Sequence, residues 1–210
     1  MTERNGWEGR SQSGRFQKDL PIICIVLIVV NAVIYLLEIV VPSVGAWMKM
    51  QGCFGVMYLI YDDDWYRLLT SAFLHADVEH LVNNLVLLYF SGEIVERSLG
   101  RFRFVLLYLS AAVCGNLLSA AYELSTGSFY DSIGASGAVF GLTGALLFLV
   151  IIRRGSASQI TLQRMLISLA LSFYAGFSNS SVNNAAHLGG LVTGFILAFI
   201  LNMIPRAGKH

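Results

Sequence analysis

Residues 20–37 read LPIICIVLIVVNAVIYLL, a stretch without a charged side chain whose apolar run continues past Glu38 to Val41. A helix needs about 20 apolar residues to cross the hydrocarbon core of a bilayer. The run is longer than the apolar region of a cleaved signal peptide, and 19 residues precede it. The stretch therefore predicts a membrane-spanning helix rather than a signal peptide.

Five further stretches have the same character, and they are residues 80–92, 104–122, 132–152, 160–177 and 185–204. The stretch at residues 80–92 is short, but weakly polar residues can extend it at either end. The stretch at residues 160–177 carries Arg164 near its start, where the long side chain can reach the membrane interface. We therefore predict six spans and an all-α polytopic membrane protein.

The composition of the 210 residues agrees with this class of protein. The apolar residues AVILMFWYC make up 56% of the chain and the charged residues 13%, whereas charged residues make up about 25% of a soluble domain. These values exclude a soluble globular enzyme, a disordered chain and a disulfide-rich secreted module. The net charge of +1 excludes a protein that binds nucleic acid through bulk charge.

The basic residues predict how the six spans are oriented. If the N-terminus is cytoplasmic and the spans alternate, Lys49 and Arg67 lie outside, and the other 12 of the 14 lysines and arginines lie in cytoplasmic segments. Positive charges favour the cytoplasmic side, so both termini are predicted to be cytoplasmic. The chain then divides into an N-terminal tail (1–19), a six-helix domain (20–204) in the lipid bilayer and a C-terminal tail (205–210).

Four polar side chains from three spans are expected to share one depth in the membrane. The second, fourth and sixth spans all begin on the outer side, and His80, Asn84, Ser136 and His187 lie within about two turns of those starts. Polar groups inside a span are costly and are functional candidates. Topology alone therefore predicts that these side chains can lie at a common depth.

Ser136 stands in the motif Gly134-Ala135-Ser136-Gly137 at the start of the fourth span. The glycines let another backbone approach, and the free N–H groups at a helix N-terminus can stabilise an anion, as an oxyanion hole requires. These features favour a nucleophilic serine. The alternative is a face of small residues that serves packing, because Gly137 and Gly141 also form a GxxxG pair.

His187 shares one helical face with Gly190 and Gly194. If this face packs against the glycine face of the fourth span, His187 and Ser136 become neighbours. Neither span carries a carboxylate, so a Ser–His dyad is favoured over a triad. The two asparagines at residues 183–184 are candidates to orient the imidazole ring. The alternative is a structural histidine.

His80 and Asn84 are four residues apart and share one face of the second span. Both can donate hydrogen bonds to a developing oxyanion, and the alternative is that they bind a neighbouring helix or a loop backbone. Histidine and acidic residues also cluster just before this span, but the chain has no HExxH motif and its three cysteines match no zinc pattern. No metal or cofactor site is predicted.

Taken in order, these motifs resemble those of the rhomboid intramembrane serine proteases in their basic six-helix bacterial form. The family pattern H-x-x-x-N corresponds to residues 80–84, the pattern G-x-S-G to residues 134–137, and the catalytic histidine with its following glycines to residues 186–194. A G-x-x-x-E-x-x-x-G element stands at residues 92–100, and His75 also fits the pattern. The resemblance covers nearly the whole chain.

The resemblance implies that Ser136 is the nucleophile and His187 the general base. It also implies an oxyanion hole formed by His80, Asn84 and the backbone N–H of Ser136. The implied function is hydrolysis of peptide bonds in or near the transmembrane segments of other membrane proteins, in a bacterial cytoplasmic membrane. The alternatives are a rhomboid-like protein that binds transmembrane clients without cleaving them, and a small transporter or channel. The sequence gives no oligomeric state.

The family pattern also implies supporting and structural roles. Arg67 matches the arginine of the first-loop Trp-Arg motif, although Tyr66 precedes it here, and Glu96 is expected to tie the cytoplasmic end of the second span to nearby donors. Phe140 stands where some members have tyrosine, so it is expected to stack on His187 without a phenolic hydrogen bond. The residues expected to support the site are His75, Gly134, Gly137, Phe140, Gly190 and Gly194.

Overall fold

The computed structural model describes residues 20–152, 165–166, 169–170, 172–174 and 182–205. The helices with defined bounds are α1 (Ile22–Val40), α2 (Pro42–Gly52), α3 (Val56–Tyr61), α4 (Arg67–Thr70), α5 (Val78–Leu99), α6 (Arg101–Thr126), α7 (Ser136–Ile152) and α8 (Asn184–Met203). A 3-10 turn follows α4, and the described residues between α7 and α8 are helical up to residue 174. The predicted all-helical class is confirmed for the described part of the chain.

Three of the described helices, α1, α6 and α8, are long and apolar enough to cross a membrane. Helix α7 is also apolar but has 17 residues, and α5 has 22 residues and is more polar. These five helices overlap five of the six predicted spans, and the span at residues 160–177 lies largely outside the described residues. A membrane helical bundle is supported, while the count of six spans and their orientation stay predictions.

Helices α7 and α8 meet along a seam of glycines. A Cβ on Gly190 would collide with the carbonyl oxygen of Gly137, and a Cβ on Gly194 would collide with that of Gly141. In a membrane the hydrophobic effect does not drive helices together, so close backbone packing between small residues carries the association. The glycine faces of these two spans therefore pack against each other, which is the condition under which His187 and Ser136 were expected to be neighbours.

Helix α6 packs on another side of α8, again through small residues. A Cβ on Gly115 would lie 2.8 Å from the carbonyl oxygen of Ala186, and a Cβ on Gly189 would lie 3.0 Å from that of Cys114. Helix α8 is thus held against two helices along its first two turns. Its N-terminal end, which carries His187, has a fixed place between α6 and α7.

Hydrogen bonds at one end of the bundle join the termini of four helices. Glu96, buried near the end of α5, accepts the backbone N–H groups of Ile23 (3.1 Å) and Cys24 (2.8 Å) in the first turn of α1. Arg103, at the start of α6, donates to the carbonyl oxygens of Leu201 (2.8 Å) and Ile204 (2.9 Å) at the end of α8. Both contacts satisfy groups that a helix end leaves without partners. They place these four ends on one side, as alternating spans require.

Arg67 joins three segments of the loop between α1 and α5. Its Nε donates to Asp64 (2.8 Å), and its Nη1 donates to the carbonyl oxygens of Met50 (2.9 Å) and Cys53 (3.1 Å). The guanidinium also lies 4.1 Å from the centre of the Tyr58 ring. This planar fork with an aromatic contact is a geometry that lysine does not reproduce.

His75 lies in the loop just before α5 and is fully buried. Its ring meets the ring of His80 edge-on, with the centroids 5.3 Å apart. Neither ring nitrogen has a hydrogen-bond partner among the described residues. Burial, together with the neighbouring His80, lowers the pKa of His75 from 6.5 to about 4, so the folded protein holds this ring neutral at neutral pH.

We predict that Glu96→Gln lowers the free energy of unfolding by about 1–3 kcal/mol, because one of the two N–H groups at the start of α1 then faces an amide NH2 instead of an acceptor. Thermal unfolding in detergent measures the loss. Glu93→Gln is the matched control, since Glu93 lies on the same helix but pairs with the part-exposed Arg97 (2.9 Å). Equal losses in both variants would contradict the proposed role of Glu96.

We predict that acid destabilises the protein through His75. Because the folded-state pKa lies below the unfolded value, the unfolded chain binds more protons between pH 6.5 and about 4. The free energy of unfolding is therefore not reduced by His75 above pH 6.5, and it falls as the pH drops toward 4. His75→Phe, which keeps an aromatic ring against His80, is expected to flatten that fall by up to about 3 kcal/mol.

Unfolding of the wild type and His75→Phe at pH 8 and at pH 4.5 measures the difference. The difference at pH 8 measures the effect of repacking alone, because the His75 ring is neutral in both the folded and the unfolded chain at that pH. Parallel stability curves across this range would show that His75 does not carry the acid sensitivity.

Candidate active site

Ser136 is the first residue of α7 and is partly exposed. Gly134, two residues earlier, has φ of +133°, a backbone conformation that a side chain disfavours. The Gly134 N–H donates to the carbonyl oxygen of Ser71 (2.9 Å), which fixes the loop at this point. The chain thus bends into α7 at Ser136, beside the N–H groups that the first turn leaves without helical partners.

His187 lies in the first turn of α8 and is buried. The ring of Phe140 stacks on it, with centroids 4.2 Å apart and planes 8° from parallel. Phe173 approaches both rings edge-on, 5.5 Å from Phe140 and 6.5 Å from His187. These two aromatic rings therefore fix the orientation of the imidazole. Its Nδ1 atom has no hydrogen-bond partner among the described residues.

The packing of α7 on α8 brings the surroundings of Ser136 and His187 together. Phe140, which stacks on His187, follows Ser136 by one helical turn and so lies on the same side of α7. Gly137, next to Ser136, would place a Cβ 3.6 Å from the carbonyl oxygen of Ala186, next to His187. No hydrogen bond joins the two side chains in the described structure. Catalytic hydrogen bonds are often long in a free enzyme and tighten with substrate.

His80 reaches the same place from α5. A Cβ on Gly134 would lie 2.6 Å from the Nε2 and Cε1 atoms of His80, so the imidazole lies directly against the loop that precedes Ser136. Asp77 caps α5 by accepting the backbone N–H of His80 (2.8 Å). The cap begins the helix at a point that places His80 beside this loop.

Asn84, one turn further along α5, is buried. Its Nδ2 donates to the carbonyl oxygen of His80 (2.9 Å). An amide nitrogen carries two protons, so this bond leaves one proton for another acceptor. The structure therefore brings His80 against the loop that precedes Ser136. For Asn84 it shows one amide proton bonded within its own helix.

A small, partly enclosed cavity opens beside Ser136. Ser71, Asn116, Ser132 and Asn183 contribute polar groups to its wall. Asn116 donates from Nδ2 to Ser71 Oγ and to the carbonyl oxygen of Leu68, both at 2.9 Å. Asn116 is not among the site residues predicted from the sequence. It could have been found in the same way as His187, because it is a polar residue inside an apolar span.

The two asparagines at residues 183–184 do not orient the His187 ring through Nδ1, so that expectation is wrong for this nitrogen. Asn183 caps α8 instead, accepting the backbone N–H of Ala186 at 2.9 Å. The Oδ1 of Asn184 is buried without a partner among the described residues. A helix start attracts short polar side chains as caps, and that role competes with any contact to the ring.

The described residues hold no group of three or more histidine, cysteine, aspartate or glutamate side chains that could bind a metal ion. The site brings three groups together. It comprises a serine at a helix N-terminus, a buried imidazole held by an aromatic ring, and a second imidazole against the serine loop.

Residues 62–204 match the family model described as the Rhomboid domain. The chain is 37% identical over 150 residues to "Rhomboid protease GluP" of Bacillus subtilis (strain 168), covering 71% of this chain and 28% of that protein. It is 36% identical over 141 residues to "Putative rhomboid protease YdcA" of the same organism, covering 67% of this chain and 69% of that protein.

A plant protein, "RHOMBOID-like protein 4" of Arabidopsis thaliana, is 36% identical over 163 residues, which cover 77% of this chain and 40% of that protein. The chain thus spans less than half the length of two of these three relatives. The family model nevertheless takes in α5 to α8 and every residue placed at the site. With its apolar helices, this chain is an integral membrane protein of the rhomboid family.

Proposed function

We propose that this protein is an intramembrane serine endopeptidase that cleaves peptide bonds in or near the transmembrane segments of other membrane proteins. Ser136 is the nucleophile and His187 the general base. The observation that carries the proposal is the stack of Phe140 on His187 one turn from Ser136, at a seam where the α7 and α8 backbones touch. The two Bacillus subtilis relatives, both named rhomboid proteases, support the same reaction class.

The reaction proceeds in two displacements at one carbonyl carbon. Ser136 Oγ attacks this carbon while His187 takes the hydroxyl proton, and a tetrahedral oxyanion forms. The C–N bond then breaks, His187 protonates the leaving amine, and an acyl-serine remains. A water molecule attacks the acyl group with His187 again as base, which releases the new carboxyl terminus and restores Ser136.

We assign the stabilisation of the oxyanion to three donors. They are the backbone N–H of Ser136, the imidazole of His80 and the free amide proton of Asn84. The contact between His80 and Gly134 supports this assignment, since it brings the imidazole to the loop that carries Ser136. Donors fixed before the reaction act strongly in a site that excludes most water.

Water for the second displacement has a polar route to the site. The cavity beside Ser136 offers hydroxyl and amide groups from Ser71, Asn116 and Ser132. Such groups can hold water where the surrounding helices are apolar.

The proposed topology has six spans with both termini in the cytoplasm, and the spans form one domain over residues 20–204. The contacts of Glu96 with α1 and of Arg103 with α8 support it, because they gather the helix ends that alternating spans place on one side. We place the protein in a bacterial cytoplasmic membrane, with transmembrane proteins as its substrates.

We predict that a fluorophosphonate probe labels the detergent-purified wild type on Ser136. Ser136→Ala and His187→Ala are each expected to lose labelling and to lose at least about 1,000-fold in the cleavage rate of a transmembrane substrate, since dyad members act as a unit. Ser125→Ala is the matched control, because this exposed serine bonds its own helix. Mass spectrometry of the labelled peptide identifies the serine.

Cleavage that persists in Ser136→Ala would contradict the proposal. A folded wild type that neither labels nor cleaves, yet retains transmembrane clients, would indicate a rhomboid-like binding protein instead.

A further inference from the structure

The side-chain amide of Asn183 makes four hydrogen bonds at the start of α8. Its Oδ1 accepts the backbone N–H of Ala186 (2.9 Å) and the hydroxyl of Tyr130 (3.4 Å). Its Nδ2 donates to Ser119 Oγ (2.7 Å) and to Ser132 Oγ (3.3 Å). An amide offers two donor protons and two acceptor lone pairs, so its full capacity is used.

These four bonds lead to three parts of the molecule. One stays in α8 and caps the helix that carries His187. One reaches Ser119 in α6, whose own hydroxyl proton goes to Glu123 (3.0 Å), so this serine is fixed as the acceptor of the Asn183 bond. The remaining two reach Tyr130 and Ser132 in the loop that leads into Ser136.

Ser132 is itself a fixed point of that loop. Its backbone pairs with Phe54 in an antiparallel bridge, with N···O distances of 2.7 and 2.9 Å. Phe54, in the loop between α1 and α5, is fully buried. A bond from Asn183 to Ser132 therefore connects the start of the His187 helix to the anchored part of the Ser136 loop.

The glycine seam alone does not define this relation. Backbone contacts at Gly137 and Gly141 set how closely α7 and α8 approach. The loop over residues 128–135 is not helical, so the place of Ser136 also depends on what holds this loop. In the described structure, Asn183 is a side chain that bonds both this loop and the first turn of α8.

We propose that Asn183 is a positioning residue for the dyad: it holds the first turn of α8, and with it His187, in register with the loop that presents Ser136. This inference rests on the proposed protease function. It gives Asn183 a role that differs from capping. A cap requires an acceptor for the Ala186 N–H, and serine supplies one as well as asparagine does. Serine is too short to keep the bonds to Ser119 and Ser132.

Asn183→Ser separates the two roles. It keeps an acceptor for the helix cap and removes the two donated bonds, so we expect a folded protein with a melting temperature below that of the wild type. A misplaced dyad is expected to lower kcat for a transmembrane substrate by about 10- to 100-fold with KM nearly unchanged. The rate of fluorophosphonate labelling of Ser136 should fall in parallel. Asn202→Ser, an exposed position at the far end of α8, is the matched control.

Ser132→Ala tests the same bond from its other side, and it leaves the cap of α8 intact. We expect kcat to fall in the same direction. The double variant Asn183→Ser/Ser132→Ala should be no slower than the slower single variant, because both changes remove one shared bond. Unfolding curves for every variant give the folded fraction to which kcat is referred.

Wild-type kcat in folded Asn183→Ser would overturn the positioning role and leave Asn183 as a cap. Strictly multiplicative effects in the double variant would overturn it as well. The two proposals fail in different ways. A wild type without a reactive Ser136 overturns both, whereas a reactive wild type matched by Asn183→Ser overturns the positioning role alone.

Discussion

The site depends on one constraint, which is the contact between the α7 and α8 backbones at their glycines. Gly190 and Gly194 leave no room for a Cβ against the carbonyl oxygens of Gly137 and Gly141. In lipid this contact gains from packing rather than from the hydrophobic effect, so any larger side chain would force the helices apart. Since Ser136 begins α7 and His187 lies in the first turn of α8, the separation of these helices sets whether the two side chains can act together.

Polar side chains complete the fold at the helix ends. A helix leaves N–H groups free at its start and carbonyl oxygens free at its end, and in a membrane these groups must find partners inside the protein. Glu96 serves the start of α1, Arg103 the end of α8, and Asn183 the start of α8. The first two join helix ends away from the site. Asn183 alone among these three connects such an end to the loop before Ser136.

The sequence predicted the parts of the site that follow from helix periodicity and membrane topology. The facing glycines needed only the register of two helices. The stack of Phe140 on His187 and the role of Glu96 as an acceptor for nearby donors came from the resemblance to the rhomboid family, which did not say that the donors of Glu96 lie in α1. Contacts between loops could not be predicted from the sequence. The bridge from Phe54 to Ser132 and the bonds of Asn183 join segments far apart in the chain, with no repeating pattern to mark them. Asn183 shows why, since a polar residue before a helix serves equally as a cap or as a ring partner.

The most direct test is a crystal structure of the protein after reaction with a fluorophosphonate, solved in a lipidic phase. We predict phosphorus bonded to Ser136 Oγ, a His187 ring nitrogen within about 3 Å of that oxygen, and the glycine seam of α7 and α8 unchanged. We also predict that the phosphoryl oxygen faces His80 and the start of α7. Phosphorus on another side chain, or a His187 ring turned away from the adduct, would contradict the proposed Ser136–His187 dyad.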